Sequence, residues 1–192
     1  DPDDLINNRD MFTYNKFGSL KTSQVISNVF AHAIFYSWAR IIKKNVLADL
    51  RFPPGVNYCE DMIFLFQLYQ KSETIYHIDK ALYAYRDNPE GATRNMKPDY
   101  LEAMLALYQK LLKDNRPEIS YLKITVFYVI YSSSGKIGKA VILPLNVFID
   151  SKKLAFKFFF DKKIPLRKKM ILLMPNIHQK LASLKTYFLS RS

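Results

Sequence analysis

The first half of the chain alternates short apolar segments with polar turns, a pattern that predicts a few short helices. Residues 1–20 are polar and rich in Asn and Asp, so they are predicted to form a loop. Apolar residues then recur every three or four positions over 22–33, the spacing of one face of a helix. A second short helix is predicted over 41–50. Its basic face comprises Arg40, Lys43 and Lys44.

The next segment combines one strongly apolar helix with β-rich stretches. Residues 60–71 are apolar nearly all round, which predicts a buried helix. The β-rich stretches at 74–78 and 81–85 are predicted to form a hairpin or two neighbouring edge strands. Tyr83 and Tyr85 face the same way along the second stretch, toward either the core or a pocket wall.

From residue 97 onward the apolar pattern is helical throughout. The predicted helices cover 98–113, 119–131, 137–149 with a break at Pro144, 154–160, 166–174 and 177–189. The sequence therefore predicts an α+β chain that is mainly α-helical. One domain is expected over 1–96, and a helical, basic C-terminal region is expected over 97–192.

Composition excludes several classes of protein. Apolar residues make up 49% of the chain and aromatic residues 15%, too many for a disordered chain. Glycine is scarce, and neither G-x-x-x-x-G-K-[ST] nor G-x-G-x-x-G occurs, so a phosphate-binding loop of those kinds is not expected. Cys59 is the single cysteine, which excludes an internal disulfide and a Cys-rich zinc site and fits a reducing compartment. No uninterrupted apolar run of about 18 residues occurs, so no membrane-spanning helix is predicted.

The formal net charge of +12 is concentrated at the C-terminal end. Residues 151–192 contain eleven Lys or Arg and a single acid, Asp161. Lysines interleaved with Phe, Leu and Met are typical of helices that lie on an anionic membrane surface. The alternative is an ordinary helical cap with solvated lysines, whose apolar face packs on residues 98–149. Nucleic acid is the least supported partner, because no RNP, zinc or helix-turn-helix pattern accompanies the basic residues.

Between Trp38 and Arg94, short motifs follow one another in a characteristic order. They are Trp38, Lys43-Lys44, Phe52-Pro53-Pro54-Gly55, Tyr58-Cys59-Glu60-Asp61, Ile75-Tyr76-His77-Ile78-Asp79, Leu82-Tyr83-Ala84-Tyr85-Arg86 and Ala92-Thr93-Arg94. In order and spacing these motifs resemble the second half of the catalytic domain of bacterial family-2 (GT-A type) glycosyltransferases. The resemblance covers 57 residues, about 30% of the chain. It implies the C-terminal half of a GT-A domain with a few β segments, followed by a helical region.

The resemblance implies an acceptor site around the Glu-Asp pair. An inverting sugar transfer needs a carboxylate near the acceptor hydroxyl, so that its oxygen attacks the anomeric carbon as the nucleotide diphosphate leaves. By resemblance, Asp61 is that base, Glu60 supports it, and Trp38 lines the acceptor or sugar pocket. Taken without the resemblance, the spacing favours Glu60 and Asp61 as two acids that only cap an apolar helix.

Three further substrate-binding residues are implied downstream. Tyr85 and Thr93 belong to the matching motifs, and Arg86 is expected near the diphosphate or the loop that closes over it. Arg86 equally fits a surface residue that pairs with Asp87 or Asp79.

The resemblance also implies a divalent metal, Mg or Mn, held by an Asp-x-Asp motif. Asp1, Asp3 and Asp4 resemble that motif, but no hydrophobic strand precedes them and only 33 residues separate Asp4 from Trp38. A solvated acidic loop is the favoured interpretation. The opening Asp1-Pro2 is interpreted as the start of an excised piece, with the nucleotide-binding half upstream, so the chain alone is expected to be inactive.

The sequence thus predicts the C-terminal portion of an inverting, nucleotide-sugar-dependent glycosyltransferase of bacterial surface polysaccharide synthesis. Its expected partners are a nucleotide-sugar donor, a glycan or lipid-linked acceptor, and an anionic membrane surface. The expected location is cytoplasmic, at the inner face of the cell membrane. The alternative is a non-catalytic helical module that docks onto a membrane surface or a protein.

Overall fold

A computed structural model describes residues 18–56, 58–78, 83 and 97–175, which belong to two units. Unit 1 is Asp1–Asn95 and unit 2 is Met96–Ser192. In chain order the elements are β1 (Gly18–Lys21), α1 (Thr22–His32), a 3₁₀ turn (Ser37–Ala39), α2 (Lys44–Leu47), α3 (Glu60–Lys71), β2 (Thr74–His77), α4 (Asp99–Leu111), α5 (Pro117–Ile137), α6 (Leu145–Lys157) and α7 (Leu166–Leu173). The prediction of an α+β, mainly α-helical chain is confirmed at this level.

The small sheet of unit 1 joins two segments that are far apart in the sequence. β1 and β2 pair antiparallel, with Gly18 opposite His77 and Lys21 opposite Thr74. The predicted loop over 1–20 is therefore wrong at its C-terminal end. Gly-Ser-Leu-Lys has no strand pattern of its own, and it is extended because β2 supplies hydrogen-bonding partners. The second β-rich stretch, 81–85, lies outside the described residues except for Tyr83.

The core of unit 1 lies between α1 and α3. Phe30 of α1 is fully buried, and its ring centroid lies 5.6 Å from that of Phe66 and 6.3 Å from that of Tyr69, both on α3. The predicted helices over 22–33 and 60–71 are both confirmed. The helix predicted over 41–50 is shorter than expected, because α2 ends where Ala48 adopts a positive φ of 39°.

Unit 2 is organised around α5, which α4, α6 and α7 all contact. The centre of its core is aromatic: the ring centroid of Phe127 lies 5.8 Å from that of Tyr108 and 4.9 Å from that of Tyr131. α5 has Pro117 in its first turn and ends at Gly138, whose φ of 71° places it in the left-handed region that favours glycine at a helix C-terminus. It is longer than the predicted 119–131.

One long helix, α6, replaces two predicted ones. Helices were expected over 137–149 and 154–160, but a single helix begins directly after Pro144. Proline lacks an N–H and is tolerated at a helix start, so the chain turns before Pro144 and is helical after it. α4 and α7 agree with the predictions over 98–113 and 166–174. The predicted helix over 177–189 lies outside the described residues.

A polar network inside unit 2 connects three of its helices. The Tyr108 hydroxyl of α4 donates to Asp150 Oδ2 of α6 at 2.8 Å, and Lys123 Nζ of α5 lies 3.3 Å from Asp150 Oδ1. Burial, together with the Asp150 charge, raises the pKa of Tyr108, so the phenol stays protonated and remains a donor. None of the helices in the described ranges is long and apolar enough to cross a membrane.

Candidate functional site

The Glu-Asp pair lies in the first turn of α3, and a sharp backbone turn places it there. Cys59 has a left-handed conformation, with φ 58° and ψ 21°, directly before the helix. Its carbonyl oxygen accepts from the Met62 amide at 3.0 Å, the first bond of the helix. Glu60 and Asp61 therefore occupy the turn where the helix dipole favours negative charge. Asp61 Oδ2 accepts a long hydrogen bond of 3.4 Å from the backbone N–H of Ser37, 24 residues earlier in the chain.

Arg40 holds the loop that carries Ser37. Its Nε donates to the Tyr69 hydroxyl of α3 at 2.9 Å, and its two terminal nitrogens donate to the backbone carbonyls of Ile34, at 2.8 Å, and Tyr36. The guanidinium therefore fixes both ends of the loop against α3. Arg40 was predicted to belong to the basic face of the helix over 41–50, but it lies before α2 and its guanidinium contacts α3 instead. The spacing of its sequence neighbours gave no signal for this side-chain direction.

An aromatic cluster includes Trp38, the residue that follows Ser37 in the chain. Trp38 stacks on Tyr83 with ring centroids 4.6 Å apart and an angle of 26° between the planes, and it lies 5.1 Å from the Tyr36 ring. Tyr83 is 55% exposed, so it forms part of a surface and not of the core. Since Trp38 belongs to the 3₁₀ turn whose first amide binds Asp61, the aromatic cluster and the carboxylate are parts of one local arrangement.

Burial and the acidic pair together suppress ionisation of the neighbouring thiol. Burial is the main cause and the adjacent charges of Glu60 and Asp61 add to it, so that the pKa of Cys59 is raised to about 12. The thiol therefore stays protonated near neutral pH and is a poor nucleophile. Oxygen chemistry at the carboxylates is the reactivity that this arrangement offers.

The structure places Glu60 and Asp61 in one helical turn and bonds Asp61 to Ser37, the chain neighbour of Trp38. The other predicted site residues, Arg86, Tyr85 and Thr93, lie outside the described residues. The same holds for Asp1, Asp3 and Asp4, the residues considered as a metal motif.

The donor groups of the described segments bear on whether a divalent metal fits here. In those segments no three His, Cys, Asp or Glu side chains converge, and Glu60 and Asp61 are the two neighbouring carboxylates of the site. Two adjacent carboxylates alone do not make up the oxygen ligand set of Mg²⁺ or Mn²⁺. Glu60 and Asp61 are therefore not interpreted as a metal site, and no chemical step is routed through a metal at these residues.

Comparison with known proteins adds no relative: the chain matches no protein-family model, and neither the curated proteins nor the solved structures contain a significant match. A chemical role for this site can therefore be inferred only from its own residues and their geometry.

The basic C-terminal region has two kinds of lysine, which the sequence pattern did not separate. Lys168 and Lys169 are buried: Lys168 Nζ donates to Thr125 Oγ1 at 3.2 Å, and Lys169 Nζ donates to the Phe159 carbonyl at 2.8 Å. The interpretation of this region as a set of solvated lysines is wrong for these two residues. Their long side chains reach internal acceptors, whereas the lysines of α6 beyond Lys152 are exposed.

Proposed function

We propose that this chain is the acceptor-side, C-terminal portion of an inverting, nucleotide-sugar-dependent glycosyltransferase that acts in bacterial surface polysaccharide synthesis. One observation carries the proposal: the Ser37 amide bonds Asp61 directly beside Trp38. The order of the motifs is not sufficient by itself, but this contact joins the two motifs that such a reaction needs, a carboxylate and an aromatic wall.

Asp61 is suited to act as the base on the acceptor hydroxyl. The Ser37 amide donates to Oδ2, and in this proposal Oδ1 is the oxygen that accepts from the acceptor O–H. The carboxylate takes the proton while the acceptor oxygen attacks the anomeric carbon, and the nucleotide diphosphate leaves from the opposite face. The bond to the Ser37 amide orients the carboxylate for this step.

The aromatic cluster is suited to hold the sugar or acceptor. Binding sites for small molecules combine apolar walls with a few polar groups, and the Trp38–Tyr83 stack is such a wall. Arg40 keeps this wall in register with Asp61, because it ties the loop to the same helix that carries the base. In this proposal Arg40 is a positioning residue and makes no contact with substrate.

The experiment is to replace Asp61 by Asn in the full-length enzyme and to measure nucleotide release from a panel of nucleotide sugars. Loss of a positioned base should lower kcat by about 10²–10⁴-fold with little change in donor KM. NMR of the product should show inversion at the anomeric carbon.

The matched control is Asp49→Asn. Asp49 is an exposed acid of the same unit, paired with Lys71 at 2.6 Å, and its replacement should leave kcat within about twofold because such pairs contribute little. The proposal is wrong if Asp61→Asn turns over within a few-fold of wild type, or if wild type releases nucleotide from no sugar in the panel.

A further inference from the structure

We infer that the outward face of α6 docks on an anionic membrane surface. This face, called here the α6 outer face, consists of Leu145, Ile149, Lys153, Phe156 and Lys157. The inference goes beyond the proposed transferase and does not depend on Asp61, since it concerns unit 2 alone.

α6 has apolar residues on two opposite sides. Its inward side consists of small or medium residues that are fully or nearly buried: Val147, Ser151, Leu154 and Ala155. On the outward side Leu145 is 72% exposed, Ile149 43% and Phe156 73%. At about 100° per residue, these three side chains lie within roughly 40° of one another around the helix axis. A packing helix needs one apolar side, so the outer stripe calls for a separate partner.

The apolar surface extends past both ends of the helix. At the N-terminal end Ile142 is 90% exposed and lines an open apolar pocket of about 320 Å³ together with Val141, Leu143, Leu145 and Phe148. At the C-terminal end Phe160 is 90% exposed. The stripe is therefore continuous at its N-terminal end with the pocket that Ile142 and Leu145 share, and single exposed residues of this size are common but a continuous row is not.

The charge beside the stripe identifies the occupant as anionic. Lys153 and Lys157 are exposed beside the stripe, at roughly 60° and 100° from its centre around the helix axis, and Lys162 follows in the connection to α7. The two acids of this region point elsewhere: Asp150 accepts from Tyr108, and Asp161 accepts from Tyr121 at 2.7 Å. Exposed cations next to an apolar stripe, with both nearby acids engaged by tyrosines, match a lipid surface with anionic headgroups.

A second copy of the chain fits this face poorly. The chain carries a net charge of +12, so pairing two α6 outer faces would place lysines against lysines. A helix of 13 residues is about 20 Å long, which suits a helix that lies along a membrane surface. The large exposed Phe side chains would enter the boundary between headgroups and acyl chains, and the lysines would reach the phosphates.

The test is flotation of the whole chain with vesicles of phosphatidylglycerol and phosphatidylcholine in equal parts, and with vesicles of phosphatidylcholine alone. We expect binding to the anionic vesicles that weakens as salt is raised. Ile149→Gln with Phe156→Gln should lower the partition coefficient at least tenfold. Lys153→Gln with Lys157→Gln should lower it about 30-fold at low salt.

Matched controls change the same residue types elsewhere. Ile41→Gln with Tyr76→Gln removes two exposed apolar side chains of unit 1, and Lys110→Gln with Lys113→Gln removes two exposed lysines at the C-terminal end of α4. Both controls should bind like wild type, and circular dichroism should show native helix content in all four variants.

Several results would overturn the inference. Equal binding to neutral and anionic vesicles would show that the α6 outer face does not recognise an anionic membrane surface. Undiminished binding of the variant with Ile149→Gln and Phe156→Gln would show that this face does not bind the lipid. A dimer in sedimentation velocity that disappears in that variant would show that the α6 outer face binds a second copy of the chain and not lipid. Failure of the Asp61→Asn experiment would leave the lipid result unaffected, so the two proposals fail separately.

Discussion

Replacing Lys168 by Met should make unit 2 more stable at neutral pH. Lys168 is 6% exposed, its ammonium group lies 5.1 Å from the centroid of the Tyr128 ring, and it donates to Thr125 Oγ1. Burial lowers its pKa from 10.5 to about 8. The native state thus holds a charge that its surroundings disfavour, and methionine fills a similar volume without it.

The expected change in the free energy of unfolding follows from the lowered pKa of Lys168. A pKa lowered in the folded state means that the unfolded chain binds more protons between pH 8 and pH 10.5, so stability rises with pH across that window. Below pH 8 the penalty is fully present and amounts to about 3 kcal/mol, and above pH 10.5 it is absent. Methionine forfeits the hydrogen bond to Thr125, which contributes about 1 kcal/mol. The variant should therefore be about 2 kcal/mol more stable than wild type at pH 7 and nearly equal to it at pH 10.

The assay is guanidinium denaturation at pH 7 and pH 10, followed by ellipticity at 222 nm. Trp38, the single tryptophan, lies in unit 1, so its fluorescence follows that unit alongside the ellipticity of the whole chain. Comparing variant with wild type at each pH cancels the titration of all other groups. Lys110→Met, at an exposed site of α4, should change stability by less than about 0.5 kcal/mol. A Lys168→Met variant that is less stable than wild type at pH 7 would contradict this prediction. So would a variant whose free energy of unfolding still exceeds that of wild type by about 2 kcal/mol at pH 10.

Two other predictions concern the backbone and the candidate site. Ala33 follows α1 with φ 59°, and Gly138 follows α5 with φ 71° and nothing within 4 Å of where a Cβ would stand. Ala33→Gly should therefore stabilise the chain by about 0.5–1 kcal/mol, and Gly138→Ala should destabilise it by a similar amount; thermal unfolding measures both, and equal signs would contradict the argument. Arg40→Met should destabilise unit 1 by about 1–3 kcal/mol and alter Trp38 fluorescence, because the Ile34 and Tyr36 carbonyls lose their donor. An unchanged denaturation curve followed by Trp38 fluorescence would show that Arg40 does not hold the loop.

The candidate site divides into a part that sequence could predict and a part that it could not. Helix α3 and its first-turn acids follow from local pattern, because Glu60, Asp61 and the apolar residues after them lie in one contiguous segment. The bond from the Ser37 amide to Asp61 spans 24 residues and depends on how the loop before α2 folds back. Arg40 decides that fold, and its side chain direction is not encoded in the spacing of its neighbours.

The α6 outer face shows the same division. Sequence predicted basic, amphipathic helices after residue 150 and left open whether their apolar residues pack inward or face a membrane. Tertiary structure separates the two sets, since Leu154 and Ala155 pack inside while Ile149 and Phe156 are exposed. It also divides the lysines, because a flexible four-carbon side chain can reach either an internal carbonyl or solvent from the same helix.

What the sequence determined by itself was local: the mainly helical class, the bounds of α1, α3, α4 and α7, and the acids at the head of α3. These follow from hydrophobic periodicity and helix dipoles, which act over a few residues. Only tertiary structure decided that Gly18–Lys21 is a strand, that Arg40 turns inward, and that α6 is one helix with an apolar outer stripe. Each of these depends on a partner distant in the chain, and the free energy that selects it comes from contacts which no local pattern records.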